Sequence, residues 1–211
     1  YDYDLRSSSP YLNSAPQNGS VPMALYGDWS STSGGVMFTG HQTTSYRSVG
    51  VVDPSGPTID VSGGTAVGAV VDFTFRPPSV ETCPRDSKNL AQIGRFAAGE
   101  AQLKLQLSSC SCGVVKPQCR VAGAKTPSGT RPVTGSGSIT PGKRYRLECI
   151  KSPDSGSSAS VTIRLTDVAA GTTTTKTSTI PDTGKIASSK PLSVANKYPL
   201  PVARQNTDQI G

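Results

Sequence analysis

The chain carries few of the groups that do acid–base or stacking chemistry. Its 211 residues include one histidine, one tryptophan, four phenylalanines and two methionines. Glutamate occurs only at Glu81, Glu100 and Glu148. A Ser-His-Asp relay would have to recruit His41, and no Gly-x-Ser-x-Gly elbow supplies a nucleophile. Charged residues are only 17% of the chain, and the Ala/Glu/Lys/Leu bias of coiled coils and helical bundles is missing. No apolar run approaches the roughly 18 residues of a membrane-spanning helix, so membrane insertion is not expected. Tyr1-Asp2-Tyr3-Asp4 has neither the basic nor the apolar region of a secretory signal. Any such signal is expected to have been removed.

What is abundant is turn and strand chemistry. There are 22 glycines and 17 prolines, and serine and threonine are more numerous still. Apolar side chains fall on alternate positions at Val67, Ala69, Val71, Phe73 and Phe75, and again at Ala101, Leu103, Leu105 and Leu107. The same period recurs at Tyr145, Leu147 and Cys149, and at Val161, Ile163 and Leu165. A period of two puts one face of each strand in a core and the other in water. The threonine-rich run from Thr172 to Ile180 suits an exposed strand, because β-branched side chains are poor in helices. Turn chemistry punctuates these strands at Asp53-Pro54-Ser55-Gly56, Thr140-Pro141-Gly142, Pro153-Asp154-Ser155-Gly156 and Pro181-Asp182-Thr183-Gly184. Residues 6–22 read as a long loop. The pattern predicts one all-β domain over residues 1–211, an antiparallel sandwich of two sheets.

Five cysteines, Cys83, Cys110, Cys112, Cys119 and Cys149, stand in the middle of the chain. No Cys-x-x-Cys pairs exist for zinc, so disulfides are expected, and with them an extracellular location. Two pairings of Cys119 compete: with Cys110 across a hairpin, or with Cys149 across neighbouring strands. The odd count leaves one thiol over, free or paired beyond Gly211. Asn18-Gly19-Ser20 matches a glycosylation acceptor.

The net charge of +7 raises the question of a partner. Polar positions of the central strands supply Gln102, Lys104, Gln106, Arg120, Arg144, Arg146 and Arg164. If those strands are neighbours in one sheet, alternation projects all seven from one surface. Planar amide and guanidinium donors suit sugar hydroxyls, carboxylates and sulfates, so an extracellular glycan is the expected ligand. Specific nucleic-acid binding is not expected, because the aromatic residues take the inward phase and leave no base-stacking platform. Trp29, after Tyr26-Gly27-Asp28 in a turn-rich segment, offers an aromatic plane to a sugar ring, and Tyr198 a second one.

Several segments together resemble the concanavalin A-like lectin/glucanase and laminin G-like superfamily in its secreted actinobacterial form. They are Asn89-Leu90-Ala91-Gln92-Ile93-Gly94-Arg95-Phe96, Gln102 to Leu107, Gln118 to Gly123, Pro141 to Cys149, Pro191 to Lys197 and Asn206 to Gly211. The resemblance spans roughly residues 65–211, with Tyr1 to Leu5 as an opening strand. It implies a jelly-roll sandwich. In that superfamily the closing segment leads into a final strand that pairs with the first, so the native polypeptide is expected to continue beyond Gly211.

The resemblance also frames what to expect of function. Glycosidases on this fold carry a Glu-x-Asp-x-Glu strand; none of the three glutamates has an acid at that spacing. Lyases on jelly rolls neutralise a uronate with Tyr, His or Arg, roles for which His41, Tyr46 and Arg47 are the candidates. Lectin-like sandwiches often hold calcium on loop carboxylates, here Asp53, Asp154, Asp182 and Asp208. No other cofactor is expected. The favoured expectation is a non-catalytic module recognising an extracellular glycan or surface protein through Lys104, Gln106, Arg120, Arg144, Arg146, Arg164, Trp29 and His41. The alternatives are a secreted polysaccharide-degrading enzyme and a purely structural surface module. The sequence leaves the oligomeric state open.

Overall fold

A computed structural model describes residues 59–75, 87–94, 100–108, 114–190 and 192–193, and elsewhere only the backbone of the strands named below and of Val194. The described residues form strands and turns, with no helix among them. One seven-stranded sheet, sheet A, runs in the order β14 (Thr172–Pro181), β13 (Ser158–Asp167), β12 (Arg144–Lys151), β7 (Val67–Thr74), β1 (Asp2–Asp4), β4 (Gly35–Phe38), β3 (Trp29–Thr32). A second, sheet B, runs β11 (Val133–Thr134), β10 (Pro117–Ala122), β9 (Gln102–Leu107), β8 (Lys88–Ile93), β16 (Leu192–Val194), β5 (Val49–Val52), β2 (Met23–Tyr26). A small ribbon pairs β15 (Ile186–Ser188) with β6 (Ile59–Val61). All named pairings are antiparallel, and the architecture is sandwich-like.

The alternating apolar positions do what their period requires. Val71, Phe73, Phe75, Tyr145, Leu147, Val161, Ile163 and Leu165 of the sheet A strands meet Leu90, Leu103, Leu105, Leu107 and Val121 of sheet B in one buried cluster. Even the Tyr145 hydroxyl is satisfied there, accepting a hydrogen bond from the Thr140 N–H at 3.1 Å. Cys119 and Cys149 are both wholly buried and joined in a disulfide with a Cα–Cα distance of 6.1 Å. Cys119 belongs to β10 and Cys149 to β12, so the bond crosses the core from one sheet to the other. The Cys110–Cys119 alternative is thereby excluded, and so is the idea that Cys119 and Cys149 sit on neighbouring strands. Cys83, Cys110 and Cys112 lie outside the described residues.

Strand β1 lies between β7 and β4, Tyr3 opposite Phe73 on one side and Val36 on the other. One further expectation changes. The polar positions of β9 are not in water: Gln102, Lys104 and Gln106 are only 4%, 7% and 4% exposed. Amphipathic alternation holds for β12 and β13 of sheet A, whereas β8 and β9 are buried on both faces. No helix among the described residues is long and apolar enough to cross a membrane.

At one end of the core lies a buried charge. The Lys151 side chain is 0% exposed and the Asp154 side chain 13%. The ammonium gives its protons to Gly63 O at 3.0 Å, Ser152 O at 2.8 Å and Asp154 Oδ1 at 2.8 Å. Asp154 also accepts from the N–H groups of Thr183 and Gly184 at 3.2 and 2.9 Å. Burial alone would raise the Asp154 pKa. The hydrogen bonds from Lys151, Thr183 and Gly184, with the Lys151 charge, outweigh that and bring it below the ordinary carboxylate value. Three turns, at residues 62–65, 152–155 and 182–184, are thus tied to one ion pair.

Candidate binding cleft

Strand pairing divides the seven expected glycan-binding side chains between two surfaces. Gln102, Lys104, Gln106 and Arg120 belong to β9 and β10 of sheet B, while Arg144, Arg146 and Arg164 belong to β12 and β13 of sheet A. Since the two sheets enclose the core with their inner faces, their outer faces point away from each other. The single basic face does not exist.

On sheet A the cations are met by acids across the strands. Asp72 takes Arg146 in a two-pronged pair, Nε to Oδ1 at 2.8 Å and Nη2 to Oδ2 at 3.0 Å, and Arg144 approaches it at 3.6 Å. Arg164 lies 3.5 Å from Glu148. Beyond them, hydroxyls pair with hydroxyls, Thr162 with Thr177 at 2.9 Å and Thr166 with Thr173 at 2.8 Å. On β7, β12, β13 and β14 these side chains are thus engaged with one another across the strands.

The polar side chains of sheet B are arranged differently, and those of β8 and β9 are buried. Register puts Gln92 opposite Lys104, Lys104 opposite Arg120, Asn89 opposite Gln106, and Gln106 opposite Gln118. Side chains opposite one another on adjacent strands share a face, so an array of amides and cations runs across three strands, β8, β9 and β10. Its hydrogen bonds form a relay: Gln106 Nε2 donates to Gln118 Oε1 at 2.6 Å, and Gln118 Nε2 to Thr134 Oγ1 at 3.0 Å. Farther along, Asn89 Nδ2 donates to Gln92 Oε1 at 3.3 Å, and the Gln92 and Gln102 amides both donate to Gly94 O. Gly94 itself is held at φ 73°, and a Cβ there would run into the Ala101 carbonyl. Only glycine allows β8 to pass so close to the start of β9.

The array ends in a cleft of about 800 Å³, within the range of small-ligand sites. Three charged side chains, Glu100, Arg120 and Lys185, line it. The loop of residues 123–130 and the β15 ribbon add Thr126, Ser128, Ser188 and Ser189. The loop is fixed by its own bonds, Gly123 N–H to Thr126 Oγ1 at 2.9 Å and Thr130 Oγ1 to Pro127 O at 2.7 Å. Ribbon and loop are joined by Ala124 N–H to Lys185 O at 2.8 Å. Partial burial lowers the Arg120 pKa from its usual value, yet a guanidinium so basic remains charged. Lys185 pairs with Asp60 at 2.9 Å, on well-exposed side chains. The lining therefore combines charged groups of both signs and hydroxyls with apolar surface from Ala101, Ala124 and Ala187, and its polar groups can hold a ligand by hydrogen bonds.

Of the expected site residues whose side chains are described, only Arg120 lines this cleft, with Lys104 and Gln106 on the array that leads to it. Glu100, Lys185 and the loop hydroxyls were not anticipated. Glu100 was within reach of sequence reasoning: it stands two places before Gln102, in the outward phase. The part played by residues 123–130 and 185–189 depends on long-range packing and has no local signature. Trp29 stands at the start of strand β3, its backbone opposite Phe38, rather than in a turn. Its side chain, like His41, Tyr46, Arg47, Tyr198, Asp53 and Asp208, lies outside the described residues. Asp182 is paired with Lys125 at 2.7 Å and Asp154 with Lys151. Among the described residues no group of three His, Cys, Asp or Glu side chains could hold a metal ion.

The chain matches no protein-family model, and comparison with curated proteins finds no match.

Proposed function

We propose that this chain is a non-catalytic recognition module of the jelly-roll, concanavalin A-like or laminin G-like type, which binds an extracellular glycan in the cleft at Glu100, Arg120 and Lys185. The observation that carries this reading is the cleft itself: about 800 Å³, lined by charges of both signs and by hydroxyls, and continuous with an amide array. Planar amide, guanidinium and carboxylate groups match the donor and acceptor pairs of sugar hydroxyls. An extracellular location is supported by the buried disulfide, since such bonds persist in oxidising compartments.

Retention on immobilised polysaccharides tests this. Wild type should be retarded on at least one glycan. Arg120→Gln should weaken that binding about tenfold or more, because a charge-assisted hydrogen bond contributes roughly 1.5–3 kcal/mol. Arg164→Ser, on the opposite sheet, should leave retention unchanged. Equal loss from both substitutions would remove the cleft from consideration. Release of reducing ends or unsaturated uronates during incubation would replace a binding module by an enzyme.

A further inference from the structure

Glu100 contributes an oxygen that lacks a partner. Ala101 packs against the core, so alternation turns Glu100 outward, in phase with Gln102 and Lys104. It lines the cleft, yet its Oε2 is shut off from water and makes no hydrogen bond. An ionised carboxylate is acceptor-only, and leaving a buried acceptor unmade is costly. Only a donor relieves that cost. A turn of the side chain into the cleft brings the carboxylate to whatever occupies it.

We infer that the ligand of this cleft is a charge-neutral sugar whose ring hydroxyls donate to the Glu100 carboxylate, and that Glu100 selects such a ring over an acidic one. The inference rests on the glycan-binding reading above and adds the class of sugar and the residue that chooses it. Two observations favour neutral over acidic. The ammonium of Lys185 is already engaged by Asp60 at 2.9 Å. Arg120 is the other cation lining the cleft, and its backbone lies opposite that of Lys104, four residues on from Glu100, about 13 Å along an extended chain at roughly 3.3 Å per residue. A uronate seated at Glu100 would set carboxylate against carboxylate, a repulsion that a neutral ring avoids. Hydroxyl recognition also fits a lining with no aromatic ring among its described residues.

Matched oligosaccharides test this: neutral hexose oligomers and uronate oligomers of the same linkage, titrated calorimetrically into the full chain. Wild type should bind a neutral series and take the matched uronates at least about tenfold more weakly. Glu100→Gln should lose about tenfold or more for the neutral series, since one acceptor becomes a donor. The same substitution should melt no lower than wild type, because a neutral amide costs less to bury than a carboxylate. A purely structural Glu100 would instead lower the melting temperature and spare the affinity. Tighter binding of uronates, or unchanged affinity in Glu100→Gln, overturns the choice of sugar while leaving a glycan-binding cleft in place. Absence of binding to both series overturns that reading and the inference with it.

Discussion

Replacing Asp154 by alanine is expected to cost about 3–5 kcal/mol, the penalty for leaving a buried charge without its partner. Lys151 is 0% exposed and its other two acceptors are neutral carbonyls, Gly63 O and Ser152 O, which cannot offset an ammonium in the interior. Lys151→Met should cost less. Asp154 would then keep its bonds from Thr183 and Gly184 and retain some contact with water. The double variant should be more stable than the sum of the single losses implies, a coupling that a double-mutant cycle in urea reads directly. The same pair sets an acid limit. The Asp154 pKa is lower in the folded chain than in the unfolded one, so its contribution is complete above the unfolded value of about 3.9 and fades as pH falls through the folded value. Wild type should therefore lose stability below about pH 4 more steeply than Asp154→Ala does. Parallel slopes for the two proteins would show that Asp154 is not the linked group.

The second large effect is expected at the disulfide. Changing Cys119 and Cys149 together to alanine should destabilise the chain by about 3–4 kcal/mol, the loop-entropy value for a 30-residue separation. For a chain of this size that corresponds to a fall of roughly 10 °C in melting temperature. Both cysteines are wholly buried between the sheets, so a mild reductant should leave the native bond intact. Thermal unfolding with and without reductant checks both points. An unchanged melting temperature in the double variant would mean that the two sheets hold together by apolar packing alone.

Elements built on alternation were legible before any coordinates. Val71, Phe73, Leu105, Leu147 and Ile163 could be assigned to the core because a pleated strand sends every second side chain one way. The Thr172–Pro181 strand was legible for the complementary reason, a run of β-branched polar residues with no apolar face to bury. Which strand lies beside which is not written in that period. Lys104 and Arg146 share the same phase, and only the order of strands decides that one faces outward from sheet B and the other from sheet A. For the same reason the Cys119–Cys149 pairing was foreseen as one of two options but placed within a sheet instead of across the core. Long-range contact likewise makes the cleft, where a loop after β10 meets a ribbon some sixty residues later.

The most direct trial of glycan recognition at this cleft is an amide chemical-shift map of the chain titrated with a neutral oligosaccharide that it retains. Shifts should concentrate at Glu100, Arg120, residues 123–130 and residues 185–189, with β13 and β14 unmoved. Shifts centred on Arg146, Arg164 and the threonines of β14 would place the ligand on the opposite sheet and contradict the assignment of this cleft.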